Sequence, residues 1–340
     1  MAPAVRAAVT AVAGHLPERV LSNEDLVAQF GTWSAEKISQ KTGIDARHIG
    51  GPQEFTSDLA VAAAEELFQR TGRGRDDIDL VLLTTVTPDY LVPFTAGMIQ
   101  DRLGLPTTTG AMDITLGCSG YVYGLGLAAG MIESGRARNV LLLTADRFST
   151  FVDEAGQDVR SLFGDGAAAT LIEAVPEGQT TTGGLIGTCR YGTDGSGAKN
   201  LLVPTSAVKG FAGAEEPHPG DKPVLHMEGA QVFDFTLRTV APHIREVLAD
   251  NELEVGDVDL FVFHHANLFM MEHLRRRLRI SDEQFVVHIA DVGNTISSSI
   301  PIAYDRAMQA GKVKPGSKVA LVGFGVGYSW GTVLLDYPGG

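Results

Sequence analysis

The sequence predicts an α/β fold built from two similar halves, and three observations carry that prediction. "DDIDLVLL" and "GDVDLFVF" align at an offset of 180 residues, Asp79 falling on Asp259, and a stretch with helical spacing and a short polar break precede both. "VLLLTAD" from Val140 matches "VALVGFG" from Val319 at an offset of 179 residues. Between these anchors each half runs through helix, strand and helix-opening turn, so that Cys118 and Asn294 occupy equivalent positions 176 residues apart. Features repeated in one order at a nearly constant offset indicate an internal duplication, with two α/β halves packed together.

Each element has its own signal. In the first half a helix begins near Asp58 in "DLAVAAAEELFQRTG", and the apolar run "DLVLLTT", ending near Thr85, is a buried strand. The helix "AGMIQDRLGL" and the strand "GAMDIT" follow, and then the turn "LGCSG", whose glycines permit a tight bend into a Gly/Ala-rich helix. The second half repeats this order with "FDFTLRTVAPHIREVLADN", "DVDLFVFHH", "MMEHLRRRLRI", the strand "QFVVHIA" and the turn "VGNTISSS". Residues 207–223 are rich in Gly, Pro and charge and read as a loop, which puts the halves at 1–180 and 181–340.

The totals narrow the function. A formal charge of −14 over 340 residues argues against a general nucleic-acid binder, which needs a basic surface. Cys118 and Cys189 are too few for a disulfide framework, and a reducing, cytoplasmic setting is expected. The N-terminal apolar run is broken by Arg6 and His15, unlike a signal peptide, and nothing approaches the ~20 apolar residues of a membrane span.

A cysteine at a strand-to-helix turn sits where free backbone N–H groups and the helix dipole favour negative charge, so a depressed thiol pKa and oxyanion donors are expected at Cys118. A buried space-filling cysteine is the alternative, and it is the reading adopted for Cys189. "VFHHANL" closes a buried strand with His264, His265 and Asn267. Alternation places Leu260, Val262 and His264 on one face and Phe261, Phe263 and His265 on the other, without choosing between the histidines. Adjacent strand residues point apart and no HExxH or Cys/His cluster is present, so no metal is expected. A GxSxG elbow and a P-loop are absent, and "GFGVGYSWG" lacks the helix and acidic residue of a dinucleotide fingerprint.

Cys118 at a helix start, "HHAN" at a strand end, "GNT" opening the equivalent helix and a Gly-rich C-terminal loop form one constellation. With "KTGIDARHI" (41–49), "TTVTPDYLVP", "FGDGAAA" (163–169) and "GNTISSSIP", it resembles the β-ketoacyl-acyl-carrier-protein synthase III family of thiolase-fold condensing enzymes over nearly the whole chain. The resemblance implies two similar halves in a five-layered αβαβα arrangement, a homodimer, and a nucleophile, histidine and asparagine at Cys118, His264 and Asn294. It also implies an oxyanion hole made by the amides of Cys118 and Gly327. In the implied reaction Cys118 takes an acyl group from acyl-CoA or an acyl-carrier protein, with no bound cofactor. A malonyl thioester then loses CO2, neutral His264 and the Asn294 amide donate to the enolate, and a β-ketoacyl product forms.

The chain departs from the family pattern at several positions. His265 stands where the family has glutamine. Lys37 and Lys41 stand where a tryptophan and an arginine grip the adenine of coenzyme A; Trp33 is displaced by four residues, and Arg160 falls near another adenine-contacting arginine. Phe163, Asn267 and Phe269 belong to the expected binding surface, Phe269 replacing a frequent basic residue. Arg275, Arg276, Arg277 and Arg279 could dock an acidic carrier protein. Tyr90, Leu91, Val92 and Phe94 are expected to shape the acyl pocket across the dimer. The departures point to a specialised, secondary-metabolic relative. Two other functions compete: acyl transfer to an alcohol, amine or carrier thiol without condensation, and a non-catalytic partner subunit. The intact Cys118, His264 and Asn294 speak against the latter.

Overall fold

The computed structural model describes residues 5–31, 33–153, 156–204, 206–207 and 223–339, leaving aside the side chains of 157 and 158. The strands are β1 (Val5–His15), β2 (Val20–Ser22), β3 (Ala46–His48), β4 (Leu80–Thr84), β5 (Gly110–Ile114), β6 (Asn139–Asp146), β7 (Gly166–Pro176), β8 (Gly184–Thr193), β9 (Leu201–Leu202), β10 (His226–Met227), β11 (Leu260–Phe263), β12 (Lys318–Gly325) and β13 (Ser329–Asp336). The helices are α1 (Asn23–Phe30), α2 (Ala35–Thr42), α3 (Thr56–Thr71), α4 (Thr95–Arg102), α5 (Gly120–Glu133), α6 (Gln157–Arg160), α7 (Gly229–Asp250), α8 (Leu268–Leu278) and α9 (Ser299–Gln309).

Strand alternation sorts these elements into layers. Leu80 and Leu82 of β4, and Val140 and Leu142 of β6, point inward onto α5 and α9, as do Leu260 and Val262 of β11 and Val319 and Leu321 of β12. Val81, Leu83, Leu141 and Leu143 point outward onto α3 and α4. On the far side Phe261, Phe263, Ala320 and Val322 point outward onto α7 and α8. The result is helix, sheet, helix, sheet, helix: the thiolase-like αβαβα arrangement. Burial on both faces is why these strands are continuous apolar runs. α5 fits the centre because it lies tight against β4; a Cβ on Gly120 would stand 2.0 Å from Thr84 Cγ2.

The strand order is β11-β12-β13-β8-β1-β7-β6-β4-β5. β1 meets β8 only at Ala8–Leu185 and Val9–Gly184, so the run divides into two sets joined at a short seam. β4 pairs in parallel with β5 and β6, and β11 in parallel with β12, as βαβ connections require. No helix among the described residues is long and apolar enough to cross a membrane.

The expected strand "QFVVHIA" does not form. Phe285 makes one isolated bridge to Phe261, and Val286 N–H donates to the Phe261 carbonyl at 3.1 Å. Two residues on, His288 N–H donates instead to His265 Nε2 at 3.0 Å, and a side chain thereby ends the ladder. The Ala290 carbonyl is likewise taken by the N–H groups of Asp45 and Ala46. The expected loop 207–223 lies outside the described residues except for Ala207 and Pro223.

Candidate active site

Cys118 ends the turn between β5 and α5. Gly120 N–H donates to the Gly117 carbonyl at 2.7 Å, which closes the turn tightly. The end of β12 presses against it: a Cβ on Gly325 would stand 2.7 Å from Cys118 Cβ and 2.8 Å from its Sγ. The backbone N–H groups aimed at the sulfur are that of Val326 and, more weakly, that of Cys118 itself. Gly327, expected in this role, is the next residue along the β12–β13 hairpin, and a Cβ there would face Ser329.

The thiol also behaves differently from expectation. Burial pushes it up to about 12, the Val326 amide opposes the rise, and the negative charge of Asp146 adds to it. The helix start does not offset that desolvation.

His264 follows β11, where its N–H donates to the Val322 carbonyl at 2.7 Å. Its Nδ1 lies 2.6 Å from Ser299 Oγ at the start of α9, and the Phe324 ring meets it edge-on. Burial, with neighbouring His265 second, lowers it to about 3. His265 points the other way: its Nδ1 lies 2.7 Å from the Phe263 carbonyl, an acceptor only, while Nε2 accepts from His288. Burial holds it down at about 4. Geometry thus separates two histidines that periodicity could not.

Asn294 is fixed by an isolated backbone bridge to Phe163, in the short segment between α6 and β7. Asn294 N–H donates to the Leu162 carbonyl at 2.9 Å, and Gly164 N–H to the Asn294 carbonyl at 3.0 Å. In the side chain, Oδ1 accepts from Ile296 N–H at 3.0 Å, while Nδ2 points toward the Ala266 carbonyl at 3.4 Å. The amide therefore offers its NH2 end to the loop after β11.

Cys118, His264 and Asn294 line one cavity of about 1080 Å³, together with Val86, Phe163, Asn267, Ile296 and Val326. Tyr90, Leu91 and Phe94 also line it, while Val92 is 86% exposed and outside it. Asn267 also caps α8, its Oδ1 accepting from Met270 N–H at 2.8 Å. Phe163 is buried against Phe148. Among the described residues no cluster of His, Cys, Asp or Glu could hold a metal ion.

Other expected binding residues are not brought here. The Lys37 and Lys41 amines lie 5.4 and 4.4 Å from the Trp33 ring centre, on α2, and do not line the cavity. Arg160 lines a second hollow of about 680 Å³ with Arg19 and Arg147. Phe269 is exposed and stacks on Phe233. Arg275 is paired with Glu272 and Asp282, and the more exposed Arg276 lies 3.5 Å from the same Glu272. Cys189 is half-buried in β8. Sequence reasoning missed Val326, Ser299 and Asp146. Asp146 carried a signal, since the repeat offset of 179 places it opposite Gly325, the residue against Cys118.

With this geometry established, known proteins provide a frame. Residues 112–195 match the family described as 3-oxoacyl-[acyl-carrier-protein] synthase III, and residues 248–337 match its C-terminal counterpart. A β-ketoacyl-[acyl-carrier-protein] synthase III of Campylobacter fetus is 36% identical, with 98% of this chain and 99% of that protein covered. A crystal structure of a 3-oxoacyl-(acyl-carrier-protein) synthase III superimposes with a TM-score of 0.91 at 42% identity, covering 98% of this chain and 100% of the other. The priming β-ketosynthase of the R1128 polyketide pathway superimposes with a TM-score of 0.89 at 32% identity, covering 99% of each chain.

Proposed function

Because the chain belongs to the 3-oxoacyl-[acyl-carrier-protein] synthase III family of acyltransferases, we propose that it loads an acyl group onto Cys118 and condenses it, with loss of CO2, with a malonyl thioester. The observation that carries this reading is the convergence of Cys118, His264 and Asn294 on one cavity, Asn294 with its NH2 end toward Ala266 in the cavity wall. In the first half-reaction the sulfur attacks the thioester carbonyl and expels the donor thiol, the Cys118 proton leaving with that thiol. Neutral His264 stands in the same wall to pass the proton, and the Cys118 and Val326 amides face the oxyanion.

In the second half-reaction the malonyl carboxylate leaves as CO2, and its electron pair passes into the thioester enolate. Asn294 Nδ2, joined by His264 when its cavity-side nitrogen is protonated, donates to that enolate. The carbon attacks acyl-Cys118, the β-ketoacyl thioester forms, and the thiolate is released to be reprotonated. A carboxylate at 294 would lack the donor this step needs; the amide favours condensation over plain acyl transfer.

Finer parts of the reading stand on separate features. The exposed apolar stretch around Val92, with β5 at the sheet edge and exposed Met112 on it, is suited to a second copy of the chain, and the assembly is a homodimer. Arg276 and Arg277, exposed on α8, are the cations offered to an acidic carrier protein. Lys37 and Lys41, engaged with Trp33, support a specialised member of the family. The halves 1–180 and 181–340 meet in the stretch between β7 and β8.

Intact-protein mass spectrometry with a panel of acyl thioesters, followed by malonyl-carrier protein and a CO2 assay, tests the scheme. Loading that disappears in Cys118→Ala, and CO2 release with a β-keto product, are expected. Loading without CO2 release would turn the assignment to plain acyl transfer.

A further inference from the structure

We infer that Asp146 is a positioning residue for the condensation: its carboxylate clamps the Thr85–Thr87 wall of the cavity to the Asn294–Ser299 turn and so keeps Asn294 in register with Cys118. The inference rests on the roles proposed above for those two residues.

Asp146 is the last residue of β6, is wholly buried, and has no cation paired with it among the described residues. Each oxygen serves a different half of the molecule. Oδ1 accepts from Val86 N–H at 2.8 Å, Thr85 Oγ1 at 3.1 Å and Thr87 Oγ1 at 3.3 Å. Oδ2 accepts from Ser297 N–H at 3.1 Å and from the Ser297 hydroxyl. Hydroxyls can turn, but the N–H groups of Val86 and Ser297 cannot, and one stands on each oxygen. Only a carboxylate accepts from both. An asparagine satisfies one wall and sets its own NH2 against the N–H of the other, whichever way it is flipped.

The two clamped walls converge beside the nucleophile. A Cβ on Gly117, the residue before Cys118, would meet Ile296 Cγ2 at 3.1 Å and Val86 Cγ1 at 3.4 Å. Ser297 follows Ile296, whose N–H holds the Asn294 amide, and precedes Ser299, which holds His264. Loosening Oδ2 from Ser297 therefore frees the turn that aims the enolate donor while leaving the Cys118 turn, held by α5 and β12, in place. Asp146 also adds negative charge near the sulfur, a second and separable effect.

The test uses Asp146→Asn in the full chain, checked for folding by circular dichroism. Three quantities are measured: acyl loading of Cys118, CO2-coupled product formation, and the pH midpoint of Cys118 alkylation by iodoacetamide. The titratable groups that bear on that midpoint are Asp146 itself and His264 in the same wall. Loading within about threefold of wild type, condensation lower by about 30-fold or more, and a midpoint moved to lower pH are expected. A common factor in both half-reactions with an unmoved midpoint would mean a merely structural residue and overturn the inference, as would unchanged kinetics. Ser297→Ala keeps the charge and removes one Oδ2 donor. It should slow condensation by about tenfold without moving the midpoint, and an unaffected condensation rate counts against the clamp even if Asp146→Asn fails to fold. Wild-type enzyme that never loads Cys118 would instead overturn the underlying reading, and the clamp with it.

Discussion

Replacing Gly325 with alanine tests the close approach between β12 and the nucleophile. The new methyl carbon would stand 2.7 Å from Cys118 Cβ and 2.8 Å from Sγ, where ordinary contact begins near 3.4 Å. The sulfur can turn aside about its own bond, but Cys118 Cβ cannot, so the backbone leading to Val326 or to Cys118 must retreat by roughly 0.7 Å. Overpacking of this kind costs about 1–3 kcal/mol of stability. The kinetic effect should be larger, because a displacement on the order of 1 Å in an aligned nucleophile costs about 100-fold. Single-turnover loading of Cys118, followed by intact mass, reads the second effect, and thermal unfolding reads the first. A Gly325→Ala enzyme that melts a few degrees lower and loads about 100-fold more slowly agrees with the geometry. One that loads at the wild-type rate would refute the tight pairing of β12 with Cys118, and with it the assignment of Val326 as oxyanion donor.

Three further outcomes are expected. Stability should fall as pH drops from 7 toward 4.5: His264 and His265 are lowered from 6.5 to about 3 and about 4, so below 6.5 the unfolded chain binds protons that the folded one refuses. Asp146, raised from 3.8 to about 6, acts in the opposite sense over that range, but the two histidines outweigh it, and a melting temperature that rises on acidification would contradict the balance. Arg47 is wholly buried and donates to the Leu21 and Ser161 carbonyls and to Asn23 Oδ1; Arg47→Ala, which removes these buried donors and leaves a cavity, should cost about 3–5 kcal/mol in denaturant unfolding. Reversing Arg276 and Arg277 to glutamate should raise KM for a carrier-bound malonyl group about tenfold while leaving acyl-CoA loading unchanged, and equal effects on both would remove α8 as the docking face.

Much of the fold was legible because its signals are local and repeated. Buried parallel strands must be apolar on both faces, so β4, β6, β11 and β12 announce themselves as runs, and duplication prints each of them twice. "QFVVHIA" has a strand's composition too, yet the His265 ring takes a backbone donor that the ladder needed. That capture depends on a side chain placed by a different element, which no window of sequence contains. The same reasoning separates the parts of the site. Cys118, His264 and Asn294 follow from equivalent strand ends and family motifs. The Val326 amide depends on the path of a hairpin, and Ser299 on a turn whose geometry only the folded chain supplies. The pairing of Arg275 was half legible for a similar reason: Glu272 lies one helical turn before it, but Asp282 reaches it only after the chain has left α8.

The thiol is where sequence and structure pull hardest against each other, and magnitudes decide between them. A helix start favours a nearby anion by typically 0.3–1 kcal/mol, about 2 kcal/mol in favourable buried cases. Raising a thiol from 9 to about 12 corresponds to roughly 4 kcal/mol against the anion, so burial and the charge of Asp146 outweigh the helix. Cys118 is therefore stored as a neutral thiol, and the anion is not waiting in the empty cavity. The buried His264 is neutral as well, at any pH above about 3. A neutral thiol beside a neutral imidazole carries no net charge into a chamber that is mostly apolar, which is the cheaper resting state by the same desolvation argument. Charge then appears only when a thioester carbonyl is in place to receive it and the Val326 amide to hold it. On this account deprotonation and acyl transfer are one coupled event. The rate of Cys118 loading should accordingly rise with the electrophilicity of the acyl thioester, whereas alkylation by iodoacetamide in the absence of substrate stays slow at neutral pH.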